Sequence, residues 1–103
     1  MFYFEKQPSE QAYYAADFKL SLPVGTALLT GTVTAIDLSD DDSDATSIVL
    51  DSSTAIIVGT QAFFFVKAGT NSHRYKITLI VFLDGSVPTA KLEEDIIMAV
   101  INK

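Results

Sequence analysis

The sequence predicts an all-β fold in which about seven strands form two stacked antiparallel sheets. The first observation is the stretch Tyr75–Leu83, where apolar side chains alternate with those of the opposite face, as in a strand that buries one face. The second is the pair Asp84-Gly85 directly after it, which is a typical hairpin turn. The third is that turn residues recur roughly every 8 to 15 residues along the chain. Together these observations favour a β-sandwich.

Further strands are predicted where apolar and branched residues alternate between turn signals. Asp17–Leu22 alternates cleanly. Ala27–Leu38 is longer, and its alternation breaks at Ile36 and Leu38, which predicts a bulge or a change of sheet there. Gly31 within this strand predicts the close approach of another chain segment. The remaining predicted strands before the central one are Thr46–Asp51, Thr54–Val58 and Gln61–Ala68.

The last segment, Ser86–Asn102, has two possible structures. Leu92–Ile97 contains helix-forming residues, and Ile97 and Ile101 are four residues apart, so this segment could be helical. We favour a strand, because the preceding turn leads the chain into an antiparallel partner and because Ile and Val residues suit a sheet.

The chain is long enough for one domain with one core. Residues 1–16 are predicted to form an N-terminal arm, and residues 17–103 to form the β-sandwich domain. The arm contains an aromatic cluster, Phe2, Tyr3 and Phe4, followed by Tyr13-Tyr14. These rings either cap one end of the core or dock on a neighbouring subunit.

Composition excludes several classes of function. The net charge of −6 argues against binding to nucleic acid, which needs a basic surface, and against anionic membranes. The absence of cysteine excludes disulfides and thiolate metal sites. The N-terminus does not resemble a signal peptide, and no apolar run approaches the roughly 20 residues that span a bilayer. We therefore expect a soluble protein that is made in a cytoplasm.

Candidate chemical groups are few. His73 is the single histidine, lies in a predicted turn, and is expected to be solvated. The acidic loop around Asp40, Asp42 and Asp44 could supply oxygen ligands to calcium, but it lacks the EF-hand pattern, and a solvated loop is favoured. Glu93 and Asp95 share a strand face without a recognisable partner. We therefore predict no enzymatic activity, no cofactor and no metal.

A stronger signal is surplus apolar surface. Where one face of a strand supplies the core, apolar side chains on the opposite face point outward, and several on neighbouring strands would form an interaction patch. Such residues occur in the arm, in two central strands and in the last segment. The predicted interface residues are Phe2, Phe4, Phe63, Phe65, Ile80, Phe82, Ile97 and Ile101.

Short motifs along most of the chain carry a resemblance to a known family. In order, they are Lys6–Glu10, Tyr14, Asp17-Phe18, Leu22–Gly25, Val33–Asp37, Thr46-Ser47, Ala68–Thr70, Arg74–Thr78 and Asp84-Gly85. This series resembles the small immunoglobulin-like (fibronectin-III-like) structural proteins of tailed bacteriophages and prophages. Tyr75 stands where such folds place a tyrosine-corner residue. The turn Asn71–His73 departs from the family, which tends to have a glycine there.

The resemblance implies an immunoglobulin-like two-sheet sandwich and a place in a virion, as a head decoration, connector or tail-associated subunit. We accordingly expect a non-enzymatic protein that is made in the host cytoplasm and forms homo-oligomers or binds other virion proteins. The alternative is an adhesin-like binding module for a carbohydrate or a cell surface, with or without calcium.

Overall fold

The computed structural model describes residues 2–85 and 90–102 and confirms the predicted all-β class. The strands are β1 (Phe2–Lys6), β2 (Ala12–Asp17), β3 (Ala27–Asp37), β4 (Ser43–Asp44), β5 (Thr54–Val58), β6 (Gln61–Val66), β7 (Arg74–Asp84) and β8 (Lys91–Val100). A 3₁₀ turn spans Lys19–Ser21, and a one-turn helix, α1, spans Thr46–Val49.

The strands form one curled, mixed sheet with the order β1-β8-β7-β3-β5-β6-β2, and β4 pairs with β3. All pairs are antiparallel except β1 with β8, which is parallel. The sheet curls into a half-barrel, so the predicted immunoglobulin-like two-sheet sandwich is not confirmed. Alternation alone could not separate these architectures, because a curled sheet and a sandwich both bury one face of every strand.

The core lies inside the curl. The predicted inner face of the central strand is confirmed, since Tyr75, Ile77, Leu79, Val81 and Leu83 are all buried in β7. They pack against the inner faces of β3, β6 and β8. The Tyr75 hydroxyl accepts a hydrogen bond of 2.9 Å from the backbone N–H of Thr70, five residues earlier in the chain.

Gly31 lies where the sheet passes from β3 to β5. These strands pair only through Gly31 with Ala55 and Thr32 with Thr54. A Cβ atom on Gly31 would lie 3.1 Å from the Ala55 Cβ and 3.3 Å from Val81 Cγ1. The close approach predicted at Gly31 is therefore confirmed, and its missing side chain lets the two strands meet.

The break predicted at Ile36 and Leu38 is in the wrong place. The pairing of β3 with β7 continues through Ile36, and its register shifts instead between Leu28 and Thr30. The shift places Leu28 in the core and leaves Leu29 exposed. An extra residue at a bulge exchanges the inward and outward positions on one side of the bulge. The sequence pattern does not indicate where that exchange occurs.

Two predicted strands are replaced by turns. Of Asp17–Leu22, only Asp17 lies in a strand, because its Oδ1 accepts the Lys19 N–H at 2.9 Å and turns the chain. The second predicted strand, Thr46–Asp51, starts instead as helix α1. The N–H of Thr46, the first helical residue, donates to Asp44 Oδ1 at 3.0 Å. Short polar side chains that bond to nearby backbone compete with strand pairing in this way.

The last described segment is a strand, as favoured over the helix. β8 pairs with β7 along nine registered positions. Its Ile96, Met98 and Val100 side chains enter the core. Residues 86–89 of the predicted segment lie outside the described residues.

The predicted arm supplies the two edge strands of the sheet. β1 pairs with β8 at one edge, and β2 pairs with β6 at the other. The curl brings these edges towards each other, and the rings of Phe4 and Tyr14 stack across the seam with centroids 4.1 Å apart. Phe4 and Tyr14 thus pack against the same core as the rest of the chain, whereas Phe2, Tyr3 and Tyr13 are exposed.

Lys6, the last residue of β1, is hydrogen-bonded to the loop that follows β6. Its side chain is buried, and its Nζ donates to the carbonyls of Gln7, Pro8 and Ala68 at 2.7, 3.3 and 2.5 Å. An ammonium has three donors, so all of them are used. Burial lowers the pKa of Lys6 below its usual 10.5, while the nearby Glu10 carboxylate acts in the opposite direction.

Gly31→Val is expected to destabilise the fold by about 1–3 kcal/mol, because the new side chain overpacks the junction of β3 and β5. The free energy of unfolding in urea measures the effect. Thr32→Val is the matched control, since Thr32 is exposed on the outer face of the same strand. Equal stability of the two variants would contradict the role of Gly31.

Lys6→Met is expected to lower the free energy of unfolding by about 1.5–3 kcal/mol, the usual worth of hydrogen bonds to a charged group. Because the pKa is lowered in the folded state, the contribution of Lys6 rises with pH between that lowered pKa and 10.5. Urea unfolding at neutral and alkaline pH measures both effects.

Lys91→Met, at an exposed position in β8, is the control for the lost charge. A Lys6→Met protein as stable as Lys91→Met, or a difference that shrinks as the pH rises towards 10.5, would contradict this account.

Candidate interaction surface

An apolar patch covers the outer side of β2, β5 and β6. We call it the outer aromatic face, and it consists of Tyr13, Ile56, Val58, Phe63 and Phe65. Pairing of Tyr13 with Phe65 and of Ile56 with Phe63 places these side chains next to one another. Tyr13 and Val58 are each 58% exposed and Ile56 is 51% exposed, whereas Phe63 and Phe65 are half-buried.

The outer aromatic face has a defined shape. The Tyr13 ring meets the Phe65 ring edge-on, with centroids 4.8 Å apart. A shallow groove of about 230 Å³ is lined by Tyr13, Ile56, Val58 and Phe63. A second groove of about 230 Å³, bordered by Asp51 and Ser52, shares Tyr13, Ile56 and Phe63 with the first. Each volume alone is below the roughly 300–1,000 Å³ of typical small-molecule sites.

In the part of the chain that the structure describes, the charged residues beside this face lie at its ends and rim. Asp17 ends β2 opposite Gln61, at one end of the face. Lys67 follows the last residue of β6 at the other end. Asp51, whose N–H donates to the Phe65 carbonyl, lies on the rim on the β5 side. The centre of the face is therefore uncharged.

Asp17 is held by two hydrogen bonds, from the Lys19 N–H and from the Thr60 hydroxyl, each 2.9 Å long. These bonds, of which the backbone bond has the larger effect, lower the pKa of Asp17 below its usual 3.8. The carboxylate is thus ionised and fixed in place at neutral pH.

The structure distributes the eight predicted interface residues over several surfaces. Phe63 and Phe65 belong to the outer aromatic face. Ile80, Phe82 and Ile97 lie half-buried on the outer side of β7 and β8. The β8 partners of Ile80 and Phe82 are the charged residues Glu93 and Lys91. This second surface is therefore mixed rather than apolar.

The other predicted residues lie near the seam and the C-terminus. Phe2 is exposed and Phe4 half-buried, and both line a groove of about 200 Å³ between the edge strands. Ile101 is half-buried, and its N–H donates to the Lys6 carbonyl at 2.8 Å. Of the eight predicted residues, all within the described part of the chain, only Phe63 and Phe65 lie on the strands that form the outer aromatic face.

The acidic loop uses its carboxylates locally. Asp40 Oδ2 accepts the Ser43 hydroxyl at 3.1 Å. Asp44 Oδ1 accepts the N–H and the hydroxyl of Thr46, and the backbone bond in particular lowers the pKa of Asp44. Asp40, Asp42 and Asp44 are exposed, and no cluster of three or more potential metal ligands occurs among the described residues.

His73 is not in the solvated environment that the sequence predicted. Its Nδ1 lies 2.7 Å from Asp37 Oδ2, and the side chains of His73 and Asp37 are 30% and 10% exposed. Asp37 Oδ1 also accepts the Ser39 N–H. The pair therefore joins the acidic loop to the turn before β7, an arrangement that residues 36 positions apart do not reveal in sequence.

Sequence reasoning missed the most exposed members of the outer aromatic face. Tyr13 was assigned to an arm, and Ile56 and Val58 were treated only as strand residues. Their alternation with Tyr14, Ala55 and Ile57 does indicate an outward direction. What alternation cannot indicate is that β2 and β5 both flank β6.

No helix among the described residues is long and apolar enough to cross a membrane. Comparisons of the chain with protein-family models, with curated proteins and with solved structures find no match.

Proposed function

We propose that this chain is a non-enzymatic structural subunit of a phage or prophage virion, which acts by binding other proteins through its outer aromatic face. The observation that carries the proposal is the contiguous apolar patch on β2, β5 and β6, three of whose members are more than half exposed. Contiguous apolar patches of a few hundred Å² are often functional surfaces.

The energetics of this face favour association. Full burial of a large apolar side chain is worth about 1.5–3 kcal/mol. Since Tyr13, Ile56 and Val58 each retain about half of that exposure, covering them would contribute roughly 1 kcal/mol each. The edge-on contact between Tyr13 and Phe65 holds the tyrosine ring ready for binding and reduces the entropy lost on association.

The virion setting rests on the resemblance of the ordered motifs to small immunoglobulin-like phage proteins. The hydrogen bond between the Tyr75 hydroxyl and the Thr70 backbone supports it, because a tyrosine that bonds to backbone a few residues upstream is a hallmark of immunoglobulin-like domains. In this proposal the chain is made in the host cytoplasm and enters the particle as a decoration, connector or tail-associated subunit.

The adhesin-like alternative has less support. It requires either a sugar-sized pocket or a calcium site beside an aromatic platform. Each groove on the outer aromatic face is small, and one carboxylate oxygen each of Asp40 and Asp44 already accepts hydrogen bonds from neighbouring hydroxyl or N–H groups.

Ile56→Thr combined with Val58→Thr is expected to reduce the copy number of the chain in purified particles at least about tenfold, because the loss of roughly 2 kcal/mol of burial exceeds one decade of affinity. Threonine keeps the preference for strand structure, so the fold is retained. Quantitative mass spectrometry of density-purified particles from a host that encodes the chain measures the copy number.

The matched control is Leu20→Thr combined with Val24→Thr, because these two residues are fully exposed in the loop after β2, outside the outer aromatic face. It is expected to enter particles as the wild type does. Absence of the wild-type chain from particles, or normal incorporation of the Ile56/Val58 variant, would overturn the proposal.

A further inference from the structure

We propose that the partner of the outer aromatic face is a second copy of this chain, packed face to face. The two copies are related by a two-fold axis that lies between the two sheets and runs perpendicular to their β6 strands. The inference rests on the proposed function for the use of this face, and adds the partner and its orientation. In this arrangement the β6 strands of the two copies lie antiparallel, with the axis passing the middle of β6, level with Phe64.

The charges at the ends of the face fit this symmetry. Tyr13, Ala15 and Asp17 share the outer side of β2 by alternation, and Lys67 continues the outer row of Phe63 and Phe65. Asp17 is level with Gln61, three residues before Phe64, and Lys67 lies three residues after it. A two-fold axis at Phe64 therefore places Asp17 of each copy level with Lys67 of the other and one strand, about 4.8 Å, to its side, a distance that the long lysine side chain can cross.

The side-chain sizes fit the same axis. Tyr13 is level with Phe65 and Ala15 is level with Phe63, so they lie at equal distances on either side of Phe64. The symmetry places the exposed Tyr13 ring of one copy over the small, exposed Ala15 of the other. An isologous interface needs such a self-complementary surface.

The size of the face limits the strength of the dimer. Three strands about 4.8 Å apart, each about six residues of 3.4 Å, cover roughly 300 Å². A standard interface buries about 800 Å² on each partner, so this face would form its apolar centre and the flanking polar residues its rim. Asp51 lies on that rim on the β5 side, level with Phe65, so the axis places it near Ile56 of the other copy, at the edge of the contact. We expect a weak dimer, with a Kd on the order of 10 μM.

Charge reversal tests the orientation. Lys67→Asp brings a second negative charge near Asp17 of the other copy, and Asp17→Lys brings a second positive charge near Lys67. Each variant alone is therefore expected to dimerise at least about tenfold more weakly than the wild type. An equimolar mixture of the two restores both attractive pairs and is expected to form heterodimers. Sedimentation equilibrium gives each Kd, and native mass spectrometry identifies the heterodimer, since the variants differ in mass.

A second pair of variants tests the same axis without charge, in case Asp17→Lys, which loses the bonds to Thr60 and Lys19, does not fold. Ala15→Tyr opposes two tyrosines and Tyr13→Ala opposes two alanines, so each alone weakens the dimer. Their mixture again pairs a large side chain with a small one and is expected to restore association. Circular dichroism confirms that each variant is folded.

The proposal is supported if the wild type dimerises and if the two variants of each mixture form heterodimers in preference to homodimers. A folded wild-type chain that stays monomeric at millimolar concentration would overturn it, while leaving binding to other virion proteins to the particle experiment above. A dimer that is insensitive to both pairs of substitutions would overturn the orientation and hence the proposal.

Discussion

The short junction between β3 and β5 is the constraint on which the rest of the structure depends. Because Gly31 has no side chain and Ala55 has a small one, the two strands approach closely, yet they pair through only two residue pairs. Beyond the junction β5 pairs with β6 instead, so the sheet bends there and wraps around a single core. A bulky residue at position 31 would occupy the space that Ala55 and Val81 share with the Gly31 backbone.

The curl gives each half of the sheet a different exterior. On β3, the outward residues near the centre are threonines, Thr30, Thr32 and Thr34, and β8 adds acidic residues beside β7. On β2, β5 and β6, the outward residues are mainly aromatic or aliphatic. The inward side chains of both halves pack in the same core. The core therefore does not depend on the apolar outer side chains of β2, β5 and β6.

Side-chain alternation was sufficient to predict the all-β class, most strands and the inner face of Tyr75–Leu83, because burial on one face depends on the residues themselves. It could not predict that β1 runs parallel to β8 or that β2 and β5 flank β6, since strand order and direction leave no trace in periodicity. Phe63 and Phe65 were accordingly predicted from their own strand. Tyr13, Ile56 and Val58 join them only through pairing.

The acidic loop and the outer aromatic face differ in how far the fold itself accounts for them. Asp41 and Asp42 have positive φ angles, and the Ser43 N–H donates to the Asp40 carbonyl, as in the tight turns where aspartate is favoured. Asp44 accepts the N–H of Thr46, the first residue of α1, and Asp37 contacts His73, so much of the acidic run has a structural role. The exposed side chains of Tyr13, Ile56 and Val58 have no comparable structural role within one copy beyond the edge-on contact of Tyr13 with Phe65, and this difference is the basis of the proposal that proteins bind at that face.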